Sequence, residues 1–263
     1  MTTVLYIDKD PGLGKELQEV YLKGEPFPHI VIDNFVDKDF LDKLYDNFPD
    51  PQTLEWVRYD NPLEKKLMYS TSESLHKNFK RIFERFNDKK FLKFLEDLTG
   101  IKSIEADHNL TGGGLHQIER GGKLDIHADF NILYGTNKRR RLNIILFLNK
   151  DWKDEYGGHL ELWDEDMAKC EQRILPVYNR AVIFNTDEKS FHGHPDPLQC
   201  PEGWTRKSLA LYYYTESDGD EQSHSTRYKK RPQDPHDNTL DKFRKFRSLP
   251  KHKRDKRDKR KIK

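Results

Sequence analysis

The chain has 263 residues, of which 34% are hydrophobic, 35% charged and 12% aromatic. This composition suits one large domain with additions and excludes a chain that is disordered throughout, because the aromatic side chains suffice for a sizeable core. No apolar run is long enough to span a membrane, and the first ten residues lack both the basic start and the apolar stretch of a signal peptide. With only Cys170 and Cys200, we expect no disulfide framework and a reduced, cytoplasmic compartment.

Positive charge is concentrated at the C-terminal end. Residues 251–263 hold nine Lys or Arg against two Asp, about +7, so the other 250 residues are near −5 for a chain total of +2. Such a run predicts disorder and a weak, salt-dependent contact with nucleic acid or other anions, or a role in solubility alone. Residues 217–263 are accordingly predicted to be a linker, a short helix at 240–249 and a basic disordered tail.

Residues 1–110 are predicted to form an N-terminal strand and helical support region. Apolar residues recur at helical spacing in three stretches, and their aromatic members indicate core packing rather than cofactor contacts. Asp37 is a plausible N-cap of the first helix, and Gly100 ends the last. The predicted elements are a strand at 30–32, helices through 38–45, 75–86 and 91–99, and less regular stretches at 1–25 and 52–69.

Between residues 111 and 216 the sequence changes to short apolar runs separated by Gly, Asn and Asp. About eight short strands at such spacing predict a closed sandwich or barrel. The predicted strands lie near 114–119, 124–130, 142–149, 159–163, 173–177, 180–185, 190–194 and 205–215.

His127 and Asp129 are two residues apart within one of these strands, so both side chains point to the same face. An imidazole and a carboxylate on one face supply two of the three ligands of a facial metal site. The alternative is a polar strand face that carries both residues by chance. A third ligand would come from a later strand, where His192 and His194 alternate in phase. For each of these, a turn or surface histidine is the alternative.

Arg206 opens the last strand, and period two places it on one face with Ser208, Ala210 and Tyr212. An Arg on the inner face of a strand is costly unless it binds an anion, and a carboxylate held by both arms of the guanidinium is the usual solution. The alternative is a strand-end Arg that pairs with an Asp or Glu of the chain.

The order His127-x-Asp129, His192 and Arg206 resembles the iron(II)/2-oxoglutarate-dependent dioxygenases, and within them the prolyl 4-hydroxylase-like branch. Residues 141–152 resemble that branch's YLN-x-x-W strand, 156–162 its GG-x-L-x-L hairpin, and 179–184 its xRxxxF strand. The resemblance covers about 113–215. It implies a mostly β protein with flanking α-helices, in which 111–216 form a double-stranded β-helix (jelly-roll) core and the N-terminal helices pack on one sheet.

The resemblance also implies roles for individual residues. His127, Asp129 and His192 would be the catalytic ligands of Fe(II), and Arg206 would bind the distal carboxylate of the cosubstrate 2-oxoglutarate. The Tyr or Thr with which the family contacts 2-oxoglutarate is not obviously kept. By position, the substitutes are Gln117, Asn143 and Ser208.

Two further features of the sequence bear on substrate choice, and one of them departs from the branch. His194 would support a ligand or face the substrate. The segment between the second histidine ligand and the arginine is longer than in the branch's animal members, and this insertion, residues 196–205, is expected to reshape the entrance. The carboxylate of Asp129 argues against a halogenase, in which Gly or Ala stands at that position.

The implied reaction is hydroxylation of prolyl residues in a protein or peptide, with release of succinate and CO2 and with L-ascorbate as an additional cofactor. Alternative substrates are a free amino acid, a glycan or a natural-product intermediate. A non-catalytic jelly-roll binding module is the alternative from another functional class, and a complete triad with Arg206 argues against it.

Overall fold

The computed structural model describes residues 4–8, 10–71, 74–219 and 222–249. The basic run 251–263 lies outside the described residues, so its disorder and its anion contacts stay predictions. Within the described part, no helix is both long enough and apolar enough to cross a membrane.

The described residues form five α-helices and thirteen strands. The helices are α1 (Leu13–Leu22), α2 (Lys38–Asp46), α3 (Lys77–Phe86), α4 (Lys89–Thr99) and α5 (Asn238–Arg247). The strands are β1 (His29–Asp33), β2 (Val57–Asn61), β3 (Glu64–Tyr69), β4 (Glu105–Ala106), β5 (Gly114–Glu119), β6 (Lys123–Ala128), β7 (Lys138–Phe147), β8 (Leu160–Trp163), β9 (Cys170–Ile174), β10 (Arg180–Asn185), β11 (Phe191–His194), β12 (Thr205–Glu216) and β13 (Arg227–Tyr228). Each of the eight strands predicted after residue 110 overlaps one of β5 to β12.

All thirteen strands belong to one antiparallel sheet that curls on itself. Its order is β1-β10-β7-β12-β5-β3-β6-β11-β8-β9, while β2 pairs with β3, β4 with β12 and β13 with β6. The arm that contains β7, β12 and β5 faces the arm that contains β6, β11 and β8, since residues of both arms line one cavity. This is the mostly β, jelly-roll architecture predicted from the sequence, and the prediction is confirmed.

Alternation along the strands separates the helix-facing side of the sheet from its inner side. On β7, Leu142, Ile144 and Leu146 belong to the large core cluster that also contains the apolar faces of α2, α3 and α4. The intervening Asn143 and Ile145 line the cavity instead. Because successive side chains of a strand point to opposite faces, one strand supplies both the core and the site. The helices thereby cover the outer face of this arm, as predicted.

Residues 222–249, which we call the C-terminal segment, pack against the sheet. β13 pairs with β6 at Arg227↔Ala128 and Tyr228↔His127. Nη2 of Arg244 in α5 lies 3.0 Å from Oδ2 of Asp125 in β6, and both side chains are less than 8% exposed. The sequence predicts a linker before the short helix at 240–249. The predicted helix overlaps α5, whereas the predicted linker contains a short strand and an ion pair that hold it beside the site.

Candidate metal centre

The two histidines and the aspartate that the sequence singles out lie side by side. His127 is near the end of β6, Asp129 follows directly after this strand, and His192 on β11 pairs with His127. One potential ligand atom from each residue lies within 4.8 Å of the others. Nε2 of His127 is 3.5 Å from Oδ1 of Asp129, and Nε2 of His192 is 3.4 Å from Oδ2. This is the donor set of a 2-His-1-carboxylate facial site.

Backbone carbonyl groups determine which ring nitrogen of each histidine faces the cavity. Nδ1 of His127 is 2.9 Å from the carbonyl oxygen of Asp125, and Nδ1 of His192 is 2.9 Å from that of Ser190. Because a carbonyl oxygen only accepts, each Nδ1–H donates, which leaves the lone pair of Nε2 for a metal. Burial and the neighbouring His127 lower the pKa of His192 to about 4, so this imidazole is in the neutral, metal-binding form at pH 7.

Arg140 and Asn143 together hold the carboxylate of Asp129. Nη2 of Arg140 is 2.9 Å from Oδ2 of Asp129, and Nδ2 of Asn143 donates to the same oxygen at 2.8 Å. Arg140 also donates to Oδ1 of Asn143 from Nε and Nη2, at 2.9 and 2.7 Å, and its guanidinium lies 3.4 Å from the ring centroid of Tyr212. Burial would raise the pKa of Asp129, but the charge of Arg140 and the two imidazoles hold it well below its usual range. The carboxylate is therefore ionised and fixed in orientation.

Arg206 is buried in the same cavity without a carboxylate partner. Its side chain donates from Nε to the carbonyl oxygen of Gly158 at 2.8 Å and lies over the ring of Phe147. Among the described residues, no carboxylate oxygen lies within 4.0 Å of the guanidinium, which excludes the alternative of a strand-end Arg paired with an Asp or Glu of this part of the chain. Burial lowers the pKa of Arg206 to about 9. A buried cation of this kind indicates a site for an external anion.

The inserted segment 196–205 packs behind Arg206. Its Leu198 and Cys200 are fully buried and form a cluster with Ile118 and Trp152. A Cβ at Gly158 would lie 2.6 Å from Cδ2 of Leu198 and 2.9 Å from Cδ of Arg206, and Gly158 has a φ of +71°. Only glycine therefore lets the insertion approach the guanidinium so closely. This part of the insertion therefore lies at the Arg206 end of the cavity, and its effect on the entrance stays a prediction.

Of the three further residues that the sequence suggests for cosubstrate binding, the structure brings two to the cavity. Ser208 and Asn143 line it. Asn143, however, already uses its amide group for Asp129 and Arg140. Gln117 does not line the cavity, because it pairs across the sheet with Lys207, on the opposite strand face from Arg206 and Ser208, and its Nε2 donates to Oγ1 of Thr205.

Sequence reasoning missed three polar residues of the site. Besides Arg140, these are Lys66 on β3 and His116 on β5, both of which line the cavity. Burial lowers the pKa of His116 to about 3, so it is neutral at pH 7. The inward orientation of His116 could have been predicted from strand alternation, since it is two residues from the inward-facing Ile118 on a predicted strand. Lys66 lies in a region predicted as loop and short strand.

A curled antiparallel sheet that holds a His-Asp-His set and a buried, uncompensated guanidinium in one cavity is typical of mononuclear-metal oxygenases that use a 2-oxo acid as cosubstrate. The model of the 2OG-Fe(II) oxygenase superfamily matches residues 113–214. Residues 113–214 are thus similar to this superfamily, and the family resemblance inferred from the motifs is confirmed over these residues.

Prolyl hydroxylases are among the similar proteins. The mouse prolyl 3-hydroxylase OGFOD1 is 25% identical over 202 residues, which are 75% of this chain and 34% of the mouse protein, so the chain spans about a third of its length. A prolyl-4-hydroxylase from Pseudomonas putida superimposes with a TM-score of 0.58 at 16% identity, over 78% of this chain and 100% of that one. A prolyl hydroxylase from Trichoplax adhaerens, solved with a hypoxia inducible factor peptide fragment, gives 0.56 at 16% identity, over 79% and 91%.

Proposed function

We propose that the protein is an Fe(II)- and 2-oxoglutarate-dependent hydroxylase that acts on prolyl residues of a protein or peptide. The observation that carries the reaction class is that one cavity contains both the His-Asp-His set, with ligand atoms within 4.8 Å, and the unpaired guanidinium of Arg206. A divalent metal and a dicarboxylate supply the charges that these two groups lack.

The residues of the cavity fit both groups. His127, Asp129 and His192 would hold Fe(II), since two imidazoles and one carboxylate leave it open positions and residual positive charge. Arg206 would bind the distal carboxylate of 2-oxoglutarate, and Ser208 lines the wall beside it. The bound metal and cosubstrate supply the oxidation, in which one O2 and one 2-oxoglutarate are converted with the substrate C–H into succinate, CO2 and a hydroxyl group. L-Ascorbate stays a prediction.

The prolyl substrate class is supported by the similar proteins. The mouse relative is a prolyl 3-hydroxylase, and the Trichoplax structure holds a peptide fragment. We place the reaction in the cytoplasm, because Cys170 and Cys200 are both free. Burial raises the pKa of Cys170 to about 11 and also raises that of Cys200, so both thiols are poor nucleophiles for disulfide exchange.

The proposed reaction is tested by incubating the full chain with Fe(II), 2-oxoglutarate and O2 in the presence of a library of proline-containing peptides. We expect succinate to form in amounts that match peptides that gain one oxygen atom, and fragmentation to locate the hydroxyl group on proline. Copies of each reactive peptide with Ala at that position serve as controls. Succinate coupled only to free amino acids or glycans would contradict a peptidyl substrate, and no succinate under any condition would contradict the reaction class.

A further prediction concerns the residue that orients Asp129. Replacing Arg140 by Met is expected to weaken metal binding about 10- to 100-fold, because the carboxylate loses the guanidinium that fixes its orientation and keeps it ionised. The dissociation constant of Mn(II), measured by calorimetry on the full chain, gives the effect. Arg139→Met is the matched control, because its side chain leaves β7 on the opposite face. Equal Mn(II) affinity of the two variants would refute the role of Arg140.

A further inference from the structure

His194 is a buried polar side chain without a hydrogen-bond partner. It is 4% exposed, and neither Nδ1 nor Nε2 has a partner among the described residues. His116, the other histidine of the cavity outside the triad, is different, since its Nε2 is 3.2 Å from the carbonyl oxygen of Gly112. A buried polar group left unpaired is rare in a folded protein and indicates a group that binds there. His194 therefore has spare hydrogen-bonding capacity inside the cavity.

The strand register places His194 at the same end of the cavity as Arg206. His194 follows His192 by two residues on the same face of β11, about 6–7 Å further along the strand. It pairs with Leu124, which lies on the far side of His127 from Asp129. On the opposite arm, Tyr212 contacts Arg140 beside Asp129, whereas Arg206 is six residues back along β12. Both side chains are thus displaced from the triad in the same direction, and both line the cavity.

Of the three other side chains that sequence position suggests for this contact, Ser208 lines the cavity wall and the remaining two are not available. Gln117 points to the opposite face of its strand, and the amide of Asn143 is used by Asp129 and Arg140. An imidazole has at least one N–H donor in either tautomer. A carboxylate that is bound by one guanidinium still has lone pairs that can accept a hydrogen bond from this N–H.

We propose that His194 is a specificity-determining residue that donates its N–H to the distal carboxylate of 2-oxoglutarate, beside the guanidinium of Arg206. This inference rests on the proposed function, because it assigns a residue to the cosubstrate of the same site. His194 thereby makes the second polar contact that distinguishes a dicarboxylate from a shorter 2-oxo acid, while the triad binds the end that both acids share.

The test is equilibrium binding to the Mn(II)-loaded full chain, measured by calorimetry without turnover. The probes are 2-oxoglutarate and 2-oxobutyrate, a 2-oxo acid that lacks the distal carboxylate. His194→Leu and His194→Met are expected to raise the dissociation constant of 2-oxoglutarate about tenfold, the effect of one hydrogen bond to a charged group, and to leave that of 2-oxobutyrate within about twofold. His194→Gln, which restores an N–H donor, is expected to recover most of the affinity, and Arg206→Ala to show the same selectivity with a larger loss.

The binding measurements distinguish failure of the role of His194 from failure of the proposed function. An unchanged dissociation constant of 2-oxoglutarate in the apolar variants, or an equal loss for both probes, would overturn the role of His194 and leave the proposed reaction standing. Failure of the unaltered protein to bind 2-oxoglutarate in the presence of Mn(II) would instead overturn the proposed function. If one apolar variant does not fold, the other and His194→Gln carry the comparison, and the Mn(II) affinity of each variant checks that the triad is intact.

Discussion

Replacing His127 by Ala is expected to abolish 2-oxoglutarate-dependent turnover and to weaken metal binding by more than about 100-fold. This loss is larger than the one that follows removal of a residue that only hydrogen-bonds to a metal ligand. The variant lacks one of the three ligand atoms, and the remaining carboxylate and imidazole leave the metal bound by two groups. His127 is also the point where β6, β11 and β13 meet, through its pairing with His192 and Tyr228. The measurements are succinate formation and the dissociation constant of Mn(II) on the same preparation.

The matched control for this prediction is His108→Ala, because His108 is exposed and does not line the cavity. It is expected to retain both metal binding and turnover. Circular dichroism on both variants checks that the sheet is intact. Full succinate production by His127→Ala would contradict the metal assignment, whereas loss in both variants would indicate a general effect on folding.

The architecture was predictable because it depends on local periodicity. β7 and β12 are long strands whose residues alternate between the helix-packed face and the cavity, and β10 is a strongly apolar strand that packs against two core clusters; these patterns are visible in the sequence. The caps of α2 and α4 were predictable because each depends on a single residue at the end of the helix. The Asp37 carboxylate accepts the amide N–H of Phe40, and Gly100 takes a φ of 74°.

The first helix, α1, has an apolar periodicity that is visible in the sequence. Leu13, Leu17 and Tyr21 recur every four residues, the spacing of one helix face, and they pack on the core along α1. From the sequence, 1–25 is predicted only as a less regular stretch, and Gly12 and Gly14 near the start of α1 are poor helix residues. In the structure, Gly14 is needed there, since a Cβ would lie 2.8 Å from the carbonyl oxygen of Phe94.

The candidate metal ligands could be found from the sequence, but the residues that contact them could not. His127 and Asp129 share a face through spacing alone, whereas Arg140 reaches Asp129 through the turn between two strands. Its role depends on the three-dimensional path of the chain, which no periodicity records. The same holds for β13, which has two residues and is defined only by its pairing with β6. The polar composition around Arg231 predicts a linker. In the structure this side chain is largely buried and forms ion pairs with Asp196 and Asp234.

Replacing Arg244 by Met is expected to lower the free energy of unfolding by about 2–3 kcal/mol, because it leaves the carboxylate of Asp125 buried without its main partner. The expected loss is smaller than the roughly 3–5 kcal/mol typical of a broken buried ion pair. The reason is that Nζ of Lys123 still lies 2.7 Å from Oδ1 of Asp125 and compensates part of its charge. The measurement is urea unfolding of the full chain, analysed as a two-state transition.

The double variant Arg244→Met, Asp125→Leu separates an uncompensated charge from a general defect of packing. With both charges removed, we expect most of the lost stability to return, since apolar residues of similar volume replace a buried ion pair at little cost. The control is Arg58→Met, which breaks an exposed pair with Glu119 at 3.8 Å and is expected to change stability by less than about 1 kcal/mol. A single variant as stable as this control would show that the Asp125 contact does not hold the C-terminal segment. A double variant less stable than the single one would show that the carboxylate of Asp125 stabilises the fold through another contact, such as that with Lys123, and would contradict an uncompensated charge as the cause of the loss.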